Sequence, residues 1–227
     1  MKKILLFNVI VFYSLISFSQ TPATALNFDG IDDYVNLTNQ TQAFNYNSSS
    51  VFTIEFWIKP SDKITSQTII GKGSRTAGKG YIIRVVNNQI SFRNRDVIIG
   101  GVNTAISPTA WSHVAVTYNA TAVKIYINGV LKQTGTLAIT PHAGNAPHKM
   151  FIGARRADNG NSDTRQRHFK GTLDDLRFWS VERTGSEIMS SKDCALTGSE
   201  TNLVSYFKFD QGFNNQNNST QTTLINY

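Results

Sequence analysis

The chain is poor in the devices that staple or anchor a protein. Cys194 is the single cysteine among 227 residues. An internal disulfide is therefore excluded. In an exported protein such a residue is either a small buried side chain or half of a bridge to another molecule. After the first twenty residues no apolar run reaches the length needed to span a bilayer. No fixed period repeats along the chain. Signatures of catalysis are missing too. There is no G-x-S-x-G, no H-E-x-x-H and no phosphate-binding loop. Glu55, Glu182, Glu187 and Glu200 fall in no spacing that sets two carboxylates across a glycosidic bond. Catalysis by residues distant in sequence stays open, but nothing in the sequence assembles a catalytic set.

What is present begins with an export signal. Lys2 and Lys3 precede the apolar run Ile4 to Ile16, and Ser17-Phe18-Ser19 offers small residues for cleavage before Gln20. Residues 1–19 thus read as a signal peptide, and the mature protein is expected to be secreted or held at the cell surface, with no membrane span. The formal charge of +7 falls to +5 once the two leader lysines are removed. That is a mild basic bias, compatible with anionic partners. Export and interleaved acids argue against nucleic acid.

The body of the chain alternates with period two. Phe52, Ile54, Phe56 and Ile58 share one face of a strand; Thr53, Glu55, Trp57 and Lys59 share the other. Ser112-Val114-Val116-Tyr118 and Val123-Ile125-Ile127 repeat the pattern. Asn128-Gly129 predicts a type I′ hairpin, and Asn87-Asn88 a second one. Many short strands between turn clusters predict an all-β sandwich. One helix is expected. Thr184 and Glu187 form a capping box that opens a short helix over about 184–191. Leu203–Phe209 reads as a returning strand. Residues 213–227 read as an Asn-rich tail and the start of a truncated segment.

Five phrases in order carry a resemblance: ALNFDGIDDYV (25–35), FTIEFWIKP (52–60), WSHVAVTY with KIYINGV (111–130), FKGTLDDLRFW (169–179) and LVSYFKFDQG (203–212). Together they resemble the laminin-G-like domain of the concanavalin A-like lectin/glucanase superfamily over residues 25–212, and the domain is expected to span 20–212. The resemblance implies a two-sheet antiparallel jelly roll. It also implies a non-catalytic module that binds an extracellular glycan or a cell-surface or matrix protein, serving adhesion or substrate targeting, and linked to further domains. The alternative is an accessory or degenerate domain of a polysaccharide-degrading enzyme. Glucanases of this superfamily carry E-x-D-x-(x)-E on one strand, and this chain has no such run. Fold alone does not decide between these readings.

Three residue groups are candidates for binding. Members of the family often hold one structural calcium near the sheet rim, and Ca²⁺ takes hard oxygen ligands. Asp29 and Asp174 are the expected contributors. Asp174 shares the parity of Leu176 and Phe178, and a carboxylate among core positions needs a partner. The bland alternative is that Asp29-Gly30 makes a turn and Asp174 caps backbone amides. Arg155, Arg156, Arg165 and Arg167 flank a polar loop that also holds Asp158 and Asp163. Lys72, Arg75, Lys79, Arg84, Arg93 and Arg95 lie on neighbouring segments. Guanidinium forks suit carboxylate and sulfate, so an acidic polysaccharide fits them as well as plain solvent does. Tyr81 and Tyr126 are expected to be exposed, Tyr81 as a sugar platform. Trp57, Trp111, Trp179 and His113 are expected to be packing residues.

Overall fold

The computed structural model describes residues 24–37, 44–61, 66–74, 79–94, 97–141, 149–156, 165–211 and 223–227. The predicted leader (1–19), most of the Asn-rich tail, and Arg75, Arg95, Asp158 and Asp163 lie outside them. In chain order the strands are β1 (Leu26–Asp29), β2 (Val35–Asn36), β3 (Val51–Pro60), β4 (Gln67–Ser74), β5 (Lys79–Val86), β6 (Gln89–Asn94), β7 (Val97–Ala105) and β8 (Ser112–Asn119). Then come β9 (Ala122–Ile127), β10 (Val130–Thr136), β11 (Met150–Ile152), β12 (Arg155–Arg156), β13 (Arg165–Gln166), β14 (Lys170–Trp179), the helix α1 (Gly185–Ser191) and β15 (Leu203–Phe207).

Two antiparallel sheets form a jelly-roll sandwich. The front sheet has seven strands in the order β1-β14-β3-β8-β9-β10, with β15 also on β14. The back sheet has six, β2-β11-β4-β5-β6-β7. Alternation decides which side chains meet between them. Phe52, Ile54, Phe56 and Ile58 are fully buried from the front, and Ile83, Val85, Ile90 and Phe92 from the back. Phe52 stacks on Tyr46 at 3.9 Å and on Tyr118 at 5.1 Å, and meets Phe92 across the sandwich at 6.3 Å. Each such side chain contributes about 1.5–3 kcal/mol on burial.

Both predicted hairpins form. Asn87 and Asn88 take φ of 50° and 60°, and Asn128 and Gly129 take 51° and 77°, as a type I′ turn requires. The capping box is present. Thr184 Oγ1 accepts from the Glu187 amide, and Glu187 Oε2 accepts from the Thr184 amide at 2.7 Å. The helix lies on the outer face of the front sheet, where Ile188 packs with Ala115 and Tyr126. Residues 223–227 run beside β15: the Tyr227 amide donates to the Tyr206 carbonyl at 3.0 Å, and Asn226 Oδ1 accepts from the Tyr206 amide at 2.8 Å. Cys194 is exposed. Among the described residues no helix is long and apolar enough to cross a membrane.

Candidate functional site

The outer face of the back sheet gathers arginines. Core residues Ile83 and Val85 point inward from β5, so Ile82 and Arg84 point outward. Register then sets Arg93 opposite Ile82, and Ser91 opposite Arg84, on β6. Arg84 Nε donates to Ser91 Oγ at 3.2 Å. Two further arginines arrive from the end of the chain. β12 lies against β4, and the approach is so close that a Cβ on Gly71 would stand 2.7 Å from Arg155 Cβ. Arg167 takes a left-handed φ of 60°, and its carbonyl accepts from the Thr68 amide at 2.8 Å. Arg84, Arg93, Arg155 and Arg167 thereby line one pocket with Ser66, Thr68 and Ile82. Arg93 and Arg155 are mostly buried, whereas Arg167 is exposed. Planar donors converging on a concave wall suit carboxylate or sulfate oxygens.

The remaining basic candidates go elsewhere. Arg156 and Arg165 face each other across β12 and β13. The Arg165 guanidinium lies 3.8 Å over the Phe151 ring and 5.5 Å from that of Tyr34. Tyr34 is 44% exposed, meets Phe151 edge-on at 5.7 Å and has His168 beside it at 6.4 Å. Lys72, expected on a loop, sits on β4 opposite Tyr81 and is 2% exposed. Burial pushes its pKa down to about 8. Tyr81 is not an exposed platform. It is 1% exposed, between Tyr46, Phe52 and Phe92, because its parity on β5 is that of the core. Tyr126 is also buried, under α1.

Asp29 and Asp174 do not meet. Asp29 pairs with Lys170 in the β1–β14 ladder, and Asp174 lies four positions further along β14, about 13 Å away. One ion cannot take both. Asp29 instead joins Asp32 and Asp33; one carboxylate oxygen from each falls within 4.8 Å of the others. Asp29 Oδ1 accepts from the Ile31 amide at 2.7 Å, which holds its pKa below the usual carboxylate value. Three exposed carboxylates are a donor set that fits a hard cation.

Asp174 also lacks the core parity read from the sequence. β14 pairs Asp174 with Trp57 but Arg177 with Glu55, so one extra residue is inserted, and Asp175 takes a φ of 55°. That bulge moves Asp174 to the outer face. There burial, with Asp175 and Asp210 nearby, pushes its pKa up to about 8.

The bulge belongs to a charge network that alternation did not reveal. Glu55 Oε1 accepts from Arg183 Nη1 at 2.5 Å and Trp179 Nε1 at 2.8 Å, and lies 3.7 Å from Arg177 Nη1. Arg177 Nη2 donates to Asp175 Oδ2 and to the Cys194 carbonyl, both at 2.7 Å, and Tyr206 Oη donates to Asp175. His113 Nε2 stands 3.7 Å from Glu55 Oε2. Burial first, then Arg177, Lys192 and Arg183, hold His113 well below the ordinary histidine value. Trp57 donates to the Lys192 carbonyl at 2.9 Å. The only sequence signal for this layer was that Glu55 and Arg177 occupy outward positions, each two residues before a tryptophan of the same parity.

A family profile described as the concanavalin A-like lectin/glucanases superfamily, of laminin-G type, matches residues 29–189. No curated protein sequence matches the chain. Among solved structures, a candidate carbohydrate-binding protein from Bacteroides ovatus ATCC 8483 is similar at a TM-score of 0.62 and 20% identity. The match covers 86% of this chain and 53% of that one, so the chain spans about half of that protein's length. Domain 4 of AbnA, a GH43 extracellular arabinanase from Geobacillus stearothermophilus, solved with arabinotriose, is similar at 0.52 and 22% identity, over 73% of this chain and 75% of that one. A SAP-like pentraxin from Limulus polyphemus is similar at 0.52 and 16% identity, over 74% and 81%. At these identities the structures speak for the fold alone. The profile covers well over half of the residues, and the chain belongs to the concanavalin A-like lectin/glucanases superfamily.

Proposed function

We propose that this domain is an extracellular, non-catalytic carbohydrate-binding module whose ligand is an acidic saccharide held at the arginine pocket. The observation that carries this reading is the convergence of Arg84, Arg93, Arg155 and Arg167 on one concavity. Guanidinium groups recognise carboxylate and sulfate by paired hydrogen bonds, and pay little entropy for doing so. Further support comes from the leader-like residues 1–19 and from the two relatives described as carbohydrate-binding or solved with a saccharide. The likeness to a domain of an arabinanase favours a second reading, in which the module delivers an attached polysaccharide-degrading domain to its substrate. Affinity electrophoresis through heparin, polygalacturonate and neutral arabinan tests the first. Retardation by an acidic polymer, abolished in Arg84→Ala/Arg167→Ala, is expected. Equal retardation of the double variant overturns the pocket.

The cluster of Asp29, Asp32 and Asp33 is proposed to hold a structural Ca²⁺, with Asp174 outside that site. A divalent ion there relieves the repulsion of three adjacent carboxylates. The melting midpoint should fall when calcium is replaced by chelator. An unchanged midpoint sinks the idea.

A further inference from the structure

We infer that the pocket takes a tetrahedral oxyanion ester, a sulfate or phosphate group carried by the saccharide, and that the Thr68 hydroxyl at its floor binds one oxygen of that group. This rests on the reading of the pocket as an acidic-saccharide site. It narrows that reading, because a uronate carboxylate has only two oxygens to offer.

The sheet fixes where each donor stands. Thr68 on β4 is the cross-strand partner of Arg84 on β5. On the other edge of β4 its amide donates to the Arg167 carbonyl. Thr68 therefore has an arginine on either side. The neighbouring row repeats the arrangement. Gly71 on β4 pairs with Ile82 on β5, Ile82 pairs with Arg93 on β6, and Arg155 lies over Gly71. Arg155 and Arg167 thus stand on one side of the pocket and Arg84 and Arg93 on the other, with Thr68 and Ile82 between them. Arg84 Nε is held by Ser91 Oγ at 3.2 Å, and Arg155 Nη1 by the Arg156 carbonyl at 3.3 Å. These bonds orient both side chains before any ligand arrives.

Thr68 is the residue that the fold itself does not explain. It is 1% exposed, yet its hydroxyl has no hydrogen-bond partner among the described residues. A buried hydroxyl left alone is destabilising, and valine would suit the strand at least as well. A threonine here gains from an oxygen supplied from outside. The shape of the anion then follows. A carboxylate presents two oxygens in one plane, which guanidinium groups on two opposed sides satisfy between them. A sulfate or phosphate ester presents three terminal oxygens. One can face each side and the third the floor, with the ester oxygen and the sugar toward the mouth.

Calorimetry on the full chain with glucose 6-sulfate, glucose 6-phosphate and glucuronate tests this, since the three carry different anions at the same end of one sugar. Both esters should bind about tenfold more tightly than glucuronate. The tighter of the two assigns the natural group as sulfate or phosphate. Glucuronate binding as tightly as the esters overturns the tetrahedral preference and leaves the pocket standing. Binding of none of the three, or equal binding by Arg84→Ala/Arg167→Ala and wild type, overturns the pocket itself. The comparison on the wild type depends on no variant's folding. Thr68→Val should lose about tenfold on the esters and nothing on glucuronate, and Thr68→Ser should keep the ester affinity. Without ligand, Thr68→Val should melt at or above the wild-type midpoint, because it removes an unpartnered hydroxyl. A lower midpoint would show that the hydroxyl is bonded within the fold, and its assignment to the ligand would fall.

Discussion

The two outer faces of the sandwich use the same residue type in opposite ways. On the front sheet, Arg177 and Arg183 lie beneath α1 and reach Glu55, Asp175 and the carbonyls of Glu187, Ser191 and Cys194. Their charges are matched within the fold, and a helix covers them. On the back sheet, Arg84, Arg93, Arg155 and Arg167 line a concavity with Thr68 and Ser66. A guanidinium that closes on a buried carboxylate secures architecture. The proposed role of the set that lines the back-sheet pocket is instead to receive an anion from outside. If this contrast is right, disturbing the front face should change stability and leave binding alone.

The largest effect should come from Glu55→Ala. Glu55 is fully buried, and its removal strips Arg183, Arg177 and the Trp179 indole of a shared acceptor. Breaking one side of a buried ion pair costs about 3–5 kcal/mol. Urea unfolding followed by tryptophan fluorescence should report a loss of that size. A loss below about 1 kcal/mol would show that the network is solvated and not sealed. Saccharide affinity of the folded fraction should be unchanged.

Asp174→Asn is next, and its sign is opposite. The folded carboxyl titrates near pH 8, well above its unfolded value. Between the two values the unfolded chain has released a proton that the folded chain keeps, so stability falls as pH rises. The slope is at most about 1.4 kcal/mol per pH unit. Asparagine removes the titration, so the variant should be the more stable at pH 8 and nearly equal to wild type at pH 4. Melts across this range that stay parallel would show that Asp174 titrates normally.

On the back face, Gly71→Ala should sharpen the contrast from the other side. The new Cβ would press on Arg155 Cβ and on the Ala154 carbonyl, 3.0 Å away. Overpacking of this kind costs about 1–3 kcal/mol, and here it also displaces a pocket residue. Acidic-polymer retardation should weaken together with stability. Retained binding would place the ligand away from Arg155.

How much of this could be read in advance depends on whether a feature is local. Alternation along 52–59 reports burial residue by residue, and the capping box at Thr184 and the Asn-Gly turn are short-range hydrogen-bonding and φ requirements. Ala120-Thr121 was not legible as a two-residue turn. Its φ values of 45° and 82° are imposed by the β8–β9 ladder, which pairs Asn119 with Ala122, and neither residue favours them. The bulge at Asp174–Asp175 exists only relative to β3, so the chain alone could not show it. Arg155 and Arg167 were legible as candidates. That Arg84 and Arg93 join them is a property of the sheet, which brings together residues about seventy positions apart. Tyr81 was misread because Tyr81-Ile82-Ile83 is apolar on both parities.

The smallest expected effect is the most discriminating. Thr184→Ala removes the hydroxyl that accepts from the Glu187 amide and contacts the Glu187 carboxylate. An N-cap lost to alanine costs about 1 kcal/mol. The loss should not stay in the helix, because α1 is what closes the front face. Ser191 Oγ takes a hydrogen bond from Arg183 at 2.8 Å, and the Lys192 carbonyl takes one from Trp57. A frayed α1 therefore loosens the acceptors of the buried cations before the sandwich melts. Hydrogen exchange should quicken at the amides of 187–192 and at the Trp57 indole, while the amides of β5 and β6 keep their protection. Faster exchange in β5 and β6 as well would mean that the two faces unfold as one unit, and the division between a sealed face and a binding face would then be one of chemistry only, not of stability.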